Sequence, residues 1–373
     1  MQRMRVREAG LSPPGEPGVY NAITDVPGVL VGYETLDGKA ANGRPVKTGV
    51  TAILPHGRSR TPRPVWAGFH ALNGNGEMTG THWIEHGGYF VGPVCLTNSH
   101  SVGIVHHATT RWMLEQYAAT FESHHLWAMP VVAETYDGVL NDINGQHVEA
   151  HHVHAALASA HAGNLEEGNV GGGNGMICYG FKGGTGTSSR RVVIDDQAYT
   201  VGVLVQANHG KRDWLNVLGV PVGKSLDDGN WPKELNRERG SIVAIIATDA
   251  PMLPHQLKRL AQRAGLGISR TGSPGGNDSG DIFLAFSTAN DGPLPQLGKA
   301  RQQMCHLNDE CFDDLYMAVV QATDEAVLNA MFMAEGAPMA KPQGWCPALD
   351  LQRLAPLMRR AGLGMEAKPP MPA

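Results

Sequence analysis

This sequence has little charge, few aromatic residues and no cluster of basic side chains. Charged residues make up 17% and aromatic residues 6% of its 373 residues, and the formal net charge is -5. Nucleic-acid binding needs lysine and arginine concentrated against the phosphates, so this composition excludes that class. The charges near the N-terminus precede no apolar segment, and no apolar run approaches the ~18 residues of a membrane span. The sequence therefore predicts a soluble, cytoplasmic protein without a nucleic-acid or membrane partner.

Cysteine is also scarce, and its spacing suits neither disulfides nor zinc. Five cysteines are an odd number without regular pairing, which favours buried free thiols in a reducing compartment. Cys305 and Cys311 flank His306, but zinc sites do not use that spacing. The 17 histidines include the run from His151 to His154, without an HExxH pattern. We expect no metal and no cofactor, while a non-enzymatic, His-rich metal-binding protein stays open as an alternative.

Glycine and proline, in contrast, are plentiful, with 47 and 24 residues. No repeat contains them, so tight turns and close backbone approaches are their expected use. Residues 169–190 contain the densest run of glycines and are predicted to be mostly loop. Within this run, GFKGGTGTSSR (180–190) resembles a phosphate-binding loop only superficially, because Lys182 comes too early in the motif. We expect this backbone to pack closely around the active site or at an oligomer contact.

Apolar periodicity indicates a mixture of strands and helices. The strongest predicted strand is SIVAIIATDAPM (241–252), and the longest amphipathic helix spans 313–336. The other predicted strands include 28–36, 48–55, 199–210 and 279–290. The other predicted helices are 105–121, 152–163 and 255–265. The last of these is expected to end at Gly265. Residues 211–240 are polar and turn-rich, as in an exposed linker, and the last thirty or so residues resemble a peripheral tail.

The junction between Gly240 and Ser241 has chemical significance, because the polar linker ends there and the apolar strand begins. A serine hydroxyl can attack the carbonyl group of the preceding residue and form an ester that water then opens. Glycine at that position hinders such an attack least. Cleavage would leave Ser241 with a free α-amine, whose reference pKa of about 7.7–8.0 suits a general base near neutral pH. A Gly-Ser pair is also a common loop-to-strand junction, so the dipeptide alone leaves both interpretations open.

A series of blocks along the chain favours cleavage. RGSIVAIIATDAP (239–251) resembles the processing site of the L-aminopeptidase/D-amidase-esterase family, the P1-type self-processing serine aminopeptidases that include the β-peptidyl aminopeptidases. Further blocks are similar to that family in the same order: DVPGVLVG (25–32), GNGEMTG (74–80), LTNSHSVG (96–103), ETYDG (134–138), GFKGGTGTSSR (180–190), QANHG (206–210) and NDSGDIFLAFST (277–288). The resemblance covers roughly residues 18–335 and is far more specific than a single motif.

The resemblance implies a nucleophile and a supporting pair. The family's nucleophile falls on Ser241. Its second serine and its acidic residue fall on Ser279 and Asp281, where they would form a hydrogen-bonded network around the amine of the nucleophile. Residues two apart on a strand point to the same side, so the pair can reach one site. The family can carry glutamate in place of Asp281, and a carboxylate at a strand start is also common without a catalytic role.

Three further residues are implied around the substrate. The family's oxyanion-hole amide falls on Asn208, Tyr136 would donate its phenol near the reacting carbonyl, and Glu134 would pair with the α-ammonium group of the substrate. A carboxylate demands a free amino terminus, because a capped substrate would leave that charge buried and unpaired. From the residues alone, Asn208 also suits a turn before Gly210, and Tyr136 also suits the core.

The resemblance also implies the fold and the activity. We expect an α/β architecture, a four-layer αββα sandwich with two mixed sheets between helices, similar to the N-terminal-nucleophile hydrolases but with different connectivity. A single domain spanning 1–373 would be cut into an α fragment, 1–240, and a β fragment, 241–373, within a homo-oligomer. The expected function is a cofactor-independent serine aminopeptidase that releases N-terminal residues from peptides, amino-acid amides or esters.

Two enzymatic alternatives stay open. The first is a β-peptidyl aminopeptidase specialist of the same family. The second is an acyltransferase similar to the ornithine acetyltransferases, which share the architecture but use a threonine nucleophile, so Ser241 argues against it.

Overall fold

The computed structural model describes residues 3–365 and places sixteen strands and eight helices in that range. The strands are β1 Leu30–Lys39, β2 Pro45–Leu54, β3 Val65–Ala71, β4 Tyr89–Phe90, β5 Val94–Asn98, β6 Val131–Thr135, β7 Ile177–Cys178, β8 Phe181–Lys182, β9 Gly184–Ile194, β10 Gln197–Asn208, β11 Asn216–Val217, β12 Val220–Pro221, β13 Ser241–Thr248, β14 Gly280–Ser287, β15 Ala337–Met339 and β16 Gly344–Cys346. The helices are α1 Thr81–Gly87, α2 Val102–Gln116, α3 Ala118–Ser123, α4 Ala150–Ser159, α5 Gly223–Leu226, α6 Pro254–Arg270, α7 Asp313–Met333 and α8 Leu351–Arg360.

Six strands form a mixed sheet in the order β4-β3-β14-β13-β10-β9. β13 and β14 run parallel, and the other neighbours in this sheet are antiparallel. All eight residues of β13, SIVAIIAT, are buried. Its β-branched and aliphatic side chains suit a strand that is covered on both faces. The strand predicted to follow Ser241 therefore lies in the middle of the larger sheet.

A second mixed sheet has the order β1-β2-β5-β6, with β5 and β6 parallel. It packs face to face on the six-stranded sheet through one apolar cluster. Leu204 and Val243 contribute to this cluster from the larger sheet, and Val31 and Leu96 contribute from the smaller one. Burying each such side chain stabilises the fold by ~1.5–3 kcal/mol, so the two sheets form a continuous core.

Helices cover the outer face of each sheet. α6 and α7 pack on the six-stranded sheet, where Leu257 and Val327 share a cluster with Ile242. α2 and α4 pack on the four-stranded sheet, where Val105 and Val153 belong to a separate cluster. The layers are therefore helix, sheet, sheet and helix, and the prediction of an αββα sandwich is confirmed.

The glycine-rich run is largely a strand. β9 begins at Gly184 and is buried as far as Arg190. It passes so close to α7 that a Cβ atom on Gly186 would lie 2.0 Å from the carbonyl oxygen of Ala326. The prediction of a loop over this part was wrong, because glycine here permits strand and helix to approach rather than the chain to turn.

Three other local predictions need correction. α6 continues well past Gly265, because packing on α7 and β3 outweighs the low helix preference of one glycine. The linker is anchored through its first half, since Leu215 and Leu226 belong to the core under the helices. α8 buries Leu354 in the same core, so the segment up to residue 365 is not a peripheral tail. The rest of the expected tail, 366–373, lies outside the described residues.

All five cysteines are free. Cys95, Cys178 and Cys346 are buried as expected, whereas Cys305 is exposed and Cys311 is half-buried because both lie in the loop region before α7. Within the described range, no helix has the length and apolar character needed to cross a membrane.

Candidate active site

Ser241, the first residue of β13, lies between two strand neighbours. Asn208 at the end of β10 is its antiparallel register partner, and Gly280 at the start of β14 is its parallel one. Only 4% of Ser241 is exposed. A side chain on a central strand, with a neighbouring strand on either side, has little positional freedom. This position suits a nucleophile that must attack in one direction.

The alternation of β13 determines which way Ser241 faces. Val243 and Ile245 belong to the cluster between the sheets, whereas Ile242 belongs to the cluster under the helices. Because side chains two apart on a strand share a face, the Ser241 hydroxyl points toward the four-stranded sheet. Its cross-strand partner Asn208 points the same way.

Gly240 occupies a position that has no room for a side chain. A Cβ atom there would lie 1.8 Å from the carbonyl oxygen of Asn208. The carbonyl oxygen of Gly240 accepts a hydrogen bond from the amide of Gly280 at 3.1 Å. The carbonyl group that precedes Ser241 is thus held and polarised by a backbone donor, as nucleophilic attack on it requires.

The side-chain amide of Asn208 is held at both of its ends. Its Oδ1 accepts a hydrogen bond from the backbone amide of Ile177 at 2.8 Å, and its Nδ2 donates to the carbonyl oxygen of Tyr136 at 3.0 Å. An amide nitrogen carries two hydrogens, so a second one remains for a ligand. Asn208 is therefore a strand residue with a fixed donor, a geometry that suits an oxyanion hole.

Ser279 and Asp281 lie on the sheet face opposite the Ser241 hydroxyl. The Ser279 hydroxyl donates to Asp281 Oδ1 at 2.6 Å, and Asp281 is the register partner of Ile242. Burial raises the pKa of Asp281, although hydrogen bonds from Ser279 and from the Ile242 amide lower it in part. The pair contacts the backbone near the start of β13, which is where a network around the amine of Ser241 is expected.

Glu134 is buried at the neighbouring end of the four-stranded sheet. Its Oε1 accepts a hydrogen bond from the amide of Glu77 at 2.9 Å, and its Oε2 accepts one from the Ser99 hydroxyl. A Cβ atom on Gly76 would lie 3.3 Å from Glu134 Oε1 and 3.7 Å from the Cα of Gly280. Only a glycine backbone therefore separates this carboxylate from the strand neighbour of Ser241. Burial raises the pKa of Glu134, while the two donors lower it in part.

Tyr136 lies just past the end of β6, so strand alternation does not determine its position relative to Glu134. Its phenol oxygen packs on Gly138, where a Cβ atom would lie 2.4 Å from it. The side chain is 37% exposed, and it lines the same cavity as Asn208 and Gly240. The ring is therefore open to a molecule bound in that cavity.

A cavity of about 380 Å³ opens beside Gly240. One wall contains Tyr136, Ile177 and Asn208, and the other is formed by residues 231–240, which we call the processing segment. The volume suits an amino-acid derivative or a short peptide. Across residues 3–365, no three His, Cys, Asp or Glu side chains are grouped so as to hold a metal ion.

Sequence reasoning missed the backbone donor Gly280 and the supporting residues Ser99 and Ile177. The SGD sequence carried a signal for Gly280, because a glycine stood between two residues assigned to the site. No local pattern indicated that Ile177 would hold Asn208, since the two residues are 31 positions apart and meet where β7 packs against β10.

The chain is similar to known peptidases in sequence and in structure. The family model for peptidase family S58 matches residues 21–343. The β-peptidyl aminopeptidase BapA of Sphingosinicella microcystinivorans is 50% identical over 348 residues, which cover 89% of this chain and 86% of that protein. The L-aminopeptidase D-Ala-esterase/amidase of Ochrobactrum anthropi, described as a variant of the Ntn hydrolase fold, superposes with a TM-score of 0.92 and 53% identity over 96% of this chain and 99% of that one. The Burkholderia sp. β-aminopeptidase superposes with a TM-score of 0.86 and 44% identity over 96% and 99%.

Proposed function

This chain belongs to peptidase family S58 and is a peptidase of the aminopeptidase type, and we propose that it cuts itself between Gly240 and Ser241 to expose Ser241 as its nucleophile. The observation that carries the proposal is the hydrogen bond from the Gly280 amide to the carbonyl oxygen of Gly240, directly before a serine at the start of a central strand. A carbonyl group that is already polarised and cannot move is prepared for attack by a neighbouring hydroxyl.

Self-processing proceeds through an ester. Ser241 Oγ bonds to the carbonyl carbon of Gly240, the bond from that carbon to the Ser241 nitrogen breaks, and the hydroxyl proton is transferred to the departing amine. Water then hydrolyses the ester, which restores the Ser241 hydroxyl and leaves a carboxylate on Gly240. The products are fragments 1–240 and 241–373, of about 26 and 14 kDa by length share of 39.8 kDa.

Turnover of substrates uses the same hydroxyl with the new amine as its base. The α-amine of Ser241, with a reference pKa of about 7.7–8.0, accepts the hydroxyl proton near neutral pH. Ser279 and Asp281 orient that amine from the opposite face of the sheet. Asn208 donates its second amide hydrogen to the oxyanion, and the Tyr136 phenol lines the same cavity. An acyl-enzyme forms, the amine product leaves, and water releases the N-terminal residue.

Glu134 selects substrates that have a free amino terminus. Its carboxylate is buried beside the strand neighbour of Ser241, so an α-ammonium group bound there places the adjacent carbonyl near the nucleophile. An acylated terminus would leave Glu134 buried without a counter-charge, at a cost of several kcal/mol. The substrates proposed are therefore peptides, amino-acid amides and amino-acid esters with free N-termini.

Preference for β-amino acids is the second candidate, because one relative is a β-peptidyl aminopeptidase and one superposed structure is a β-aminopeptidase. A β-residue places one more carbon between its amine and its carbonyl, so the spacing between Glu134 and Ser241 decides which class fits. Comparison of kcat/KM for the p-nitroanilides of β-homoalanine and L-alanine distinguishes the two.

Denaturing gels with intact-mass measurement test the self-processing proposal. Wild-type protein should give two bands, with Ser241 as the first residue of the smaller one, and Ser241→Ala should give one inactive band of full length. Wild-type protein that remains uncut and yet hydrolyses amino-acid amides would contradict the proposal. We also propose a homo-oligomer of processed protomers in the cytoplasm, which light scattering and cell fractionation can test.

A further inference from the structure

Glu238 is a half-buried residue of the processing segment, two residues before Gly240. The backbone at Gly276 makes room for it, since a Cβ atom there would lie 2.5 Å from Glu238 Cγ. Both carboxyl oxygens are shielded from solvent, and neither has a well-formed hydrogen bond to the described residues. The side chain therefore occupies a space built by glycine without the full pairing that a structural acid has.

The groups that face this carboxyl belong to the candidate active site. They are the backbone amides of Gly210 and Gly240, the hydroxyl of Ser279 and the carboxylate of Asp281. Ser279 already donates its hydrogen to Asp281, so its oxygen remains free to accept one. A protonated Glu238 can supply that hydrogen and complete a chain that runs from Glu238 through Ser279 to Asp281.

We propose that Glu238 is a positioning residue for self-processing, whose carboxyl group docks beside Ser279 and Asp281 and so holds the Gly240 carbonyl group on the Gly280 amide until the chain is cut. This inference rests on the proposed self-processing. Glu238 has this role only in the uncut chain. After cleavage the new ammonium group of Ser241 takes the place beside Ser279 and Asp281, and the end of the processing segment is released.

The charges at this position agree with a role that ends at cleavage. Burial raises the pKa of Glu238, the Gly210 and Gly240 amides and the Ser279 hydroxyl lower it in part, and the carboxylate of Asp281 raises it, so the acid keeps its proton to a higher pH than a free glutamate does. The other titratable groups that face it are the thiol of Cys178 and the phenol of Tyr179, and burial raises the pKa of both, so they are neutral as well. As pH rises through the pKa of Glu238, two adjacent carboxylates repel each other and the segment is held less firmly.

The test measures self-processing of newly synthesised full-length chain over time, by denaturing gel and mass, from about pH 5 to pH 9. Glu238→Ala should slow cleavage about tenfold or more. Glu238→Gln is neutral at every pH and fills the same space. It should cleave at the wild-type rate at low pH, and its cleavage rate should fall less than that of wild type as pH rises. Glu122→Gln is the matched control, because Glu122 is exposed on α3 and lies outside the processing segment, and it should cleave at the wild-type rate.

A second measurement separates positioning from a role in the mature enzyme. Once cleavage is complete, kcat/KM per mole of cut enzyme should agree between wild type and both Glu238 variants within about threefold. Three results would each overturn the inference. They are cleavage of Glu238→Ala at the wild-type rate, a pH profile of cleavage in Glu238→Gln that coincides with that of wild type, and a loss of kcat/KM in the cut Glu238 variants as large as their loss of cleavage rate. Cleavage of Ser241→Ala would instead contradict the self-processing proposal itself.

Discussion

The carbonyl oxygen of Asn208 lies 1.8 Å from the point that a Cβ atom on Gly240 would occupy. Asn208 is also the register partner of Ser241, so one residue limits the size of the side chain before the cut and presents its own amide beside the nucleophile. Neither constraint depends on the chemistry of the substrate. Both arise from the pairing of β10 with β13.

Substitution of Gly240 should therefore impair self-processing. In Gly240→Ala the methyl group would collide with the Asn208 carbonyl, move the residue off the Gly280 amide and slow cleavage at least tenfold, as followed by gel. Gly292→Ala is the control, because no atom lies within 4 Å of a Cβ there and its φ is not positive. Cleavage of Gly240→Ala at the wild-type rate would show that this contact does not position the bond.

Loss of the Asn208 donor should reduce turnover. Removing one oxyanion-hole donor typically lowers kcat about 10²–10³-fold, so Asn208→Ala should show a loss of that size in steady-state assays of processed enzyme. Asn208→Asp retains an acceptor for the Ile177 amide but has no amide hydrogens, which separates the donor role from structural support. If Asn208→Asp keeps wild-type kcat, the oxyanion assignment is wrong.

The affinity for free N-termini should depend on pH through Glu134. Burial raises its pKa, and only the ionised form pairs with an ammonium group, so KM should rise as pH falls through that pKa. Glu134→Gln should have a high KM whose dependence on pH in the acidic range is lost. Glu115→Gln, at an exposed site on α2, should retain the wild-type KM profile. An unchanged KM in Glu134→Gln would exclude the proposed contact.

Glu325 of α7 should hold the two fragments together after cleavage. Its carboxylate accepts hydrogen bonds from Arg190 Nη2 at 2.6 Å and from Arg7 Nε at 2.9 Å, both of which belong to the α fragment. Breaking a buried pair of this kind typically costs ~3–5 kcal/mol, so Glu325→Ala should lower the free energy of unfolding by about that amount in urea titrations. Glu16→Ala removes the exposed pair with Arg191 and should change it by less than ~1 kcal/mol.

The same ion pair predicts a pH dependence of stability. Burial alone would raise the pKa of Glu325, but Arg190 and Arg7 hold it below its usual value. A carboxyl group with a depressed pKa stabilises the folded state above its unfolded pKa of about 4.3, and that contribution is lost as pH falls further. Urea titrations from about pH 7 down to pH 3 should therefore show a smaller loss of stability in Glu325→Ala than in wild type. Equal losses of stability in the two proteins would show that groups other than Glu325 cause the acid sensitivity.

Several elements were determined by the sequence because their causes are local. The apolar run that begins at Ser241 forms β13, and the periodic segment that begins at Asp313 forms α7. In each case the spacing of apolar side chains that favours the element lies within the segment itself. The order of the glycine-rich and polar blocks was enough to indicate the family, and with it the αββα layers. The Gly-Ser junction was also visible, although the dipeptide itself carried little information.

The tertiary structure alone decided how these pieces meet. Strand register placed Asn208 and Gly280 on either side of Ser241, and register depends on pairings between segments far apart in the chain. Close packing of backbones allows the segment from Gly184 onward to form a buried strand, although the local preference of glycine is against strands. The docking of Glu238 on Gly276 depends on the same kind of contact. Such approaches are set by packing between distant segments, and therefore no local pattern in the sequence predicts them.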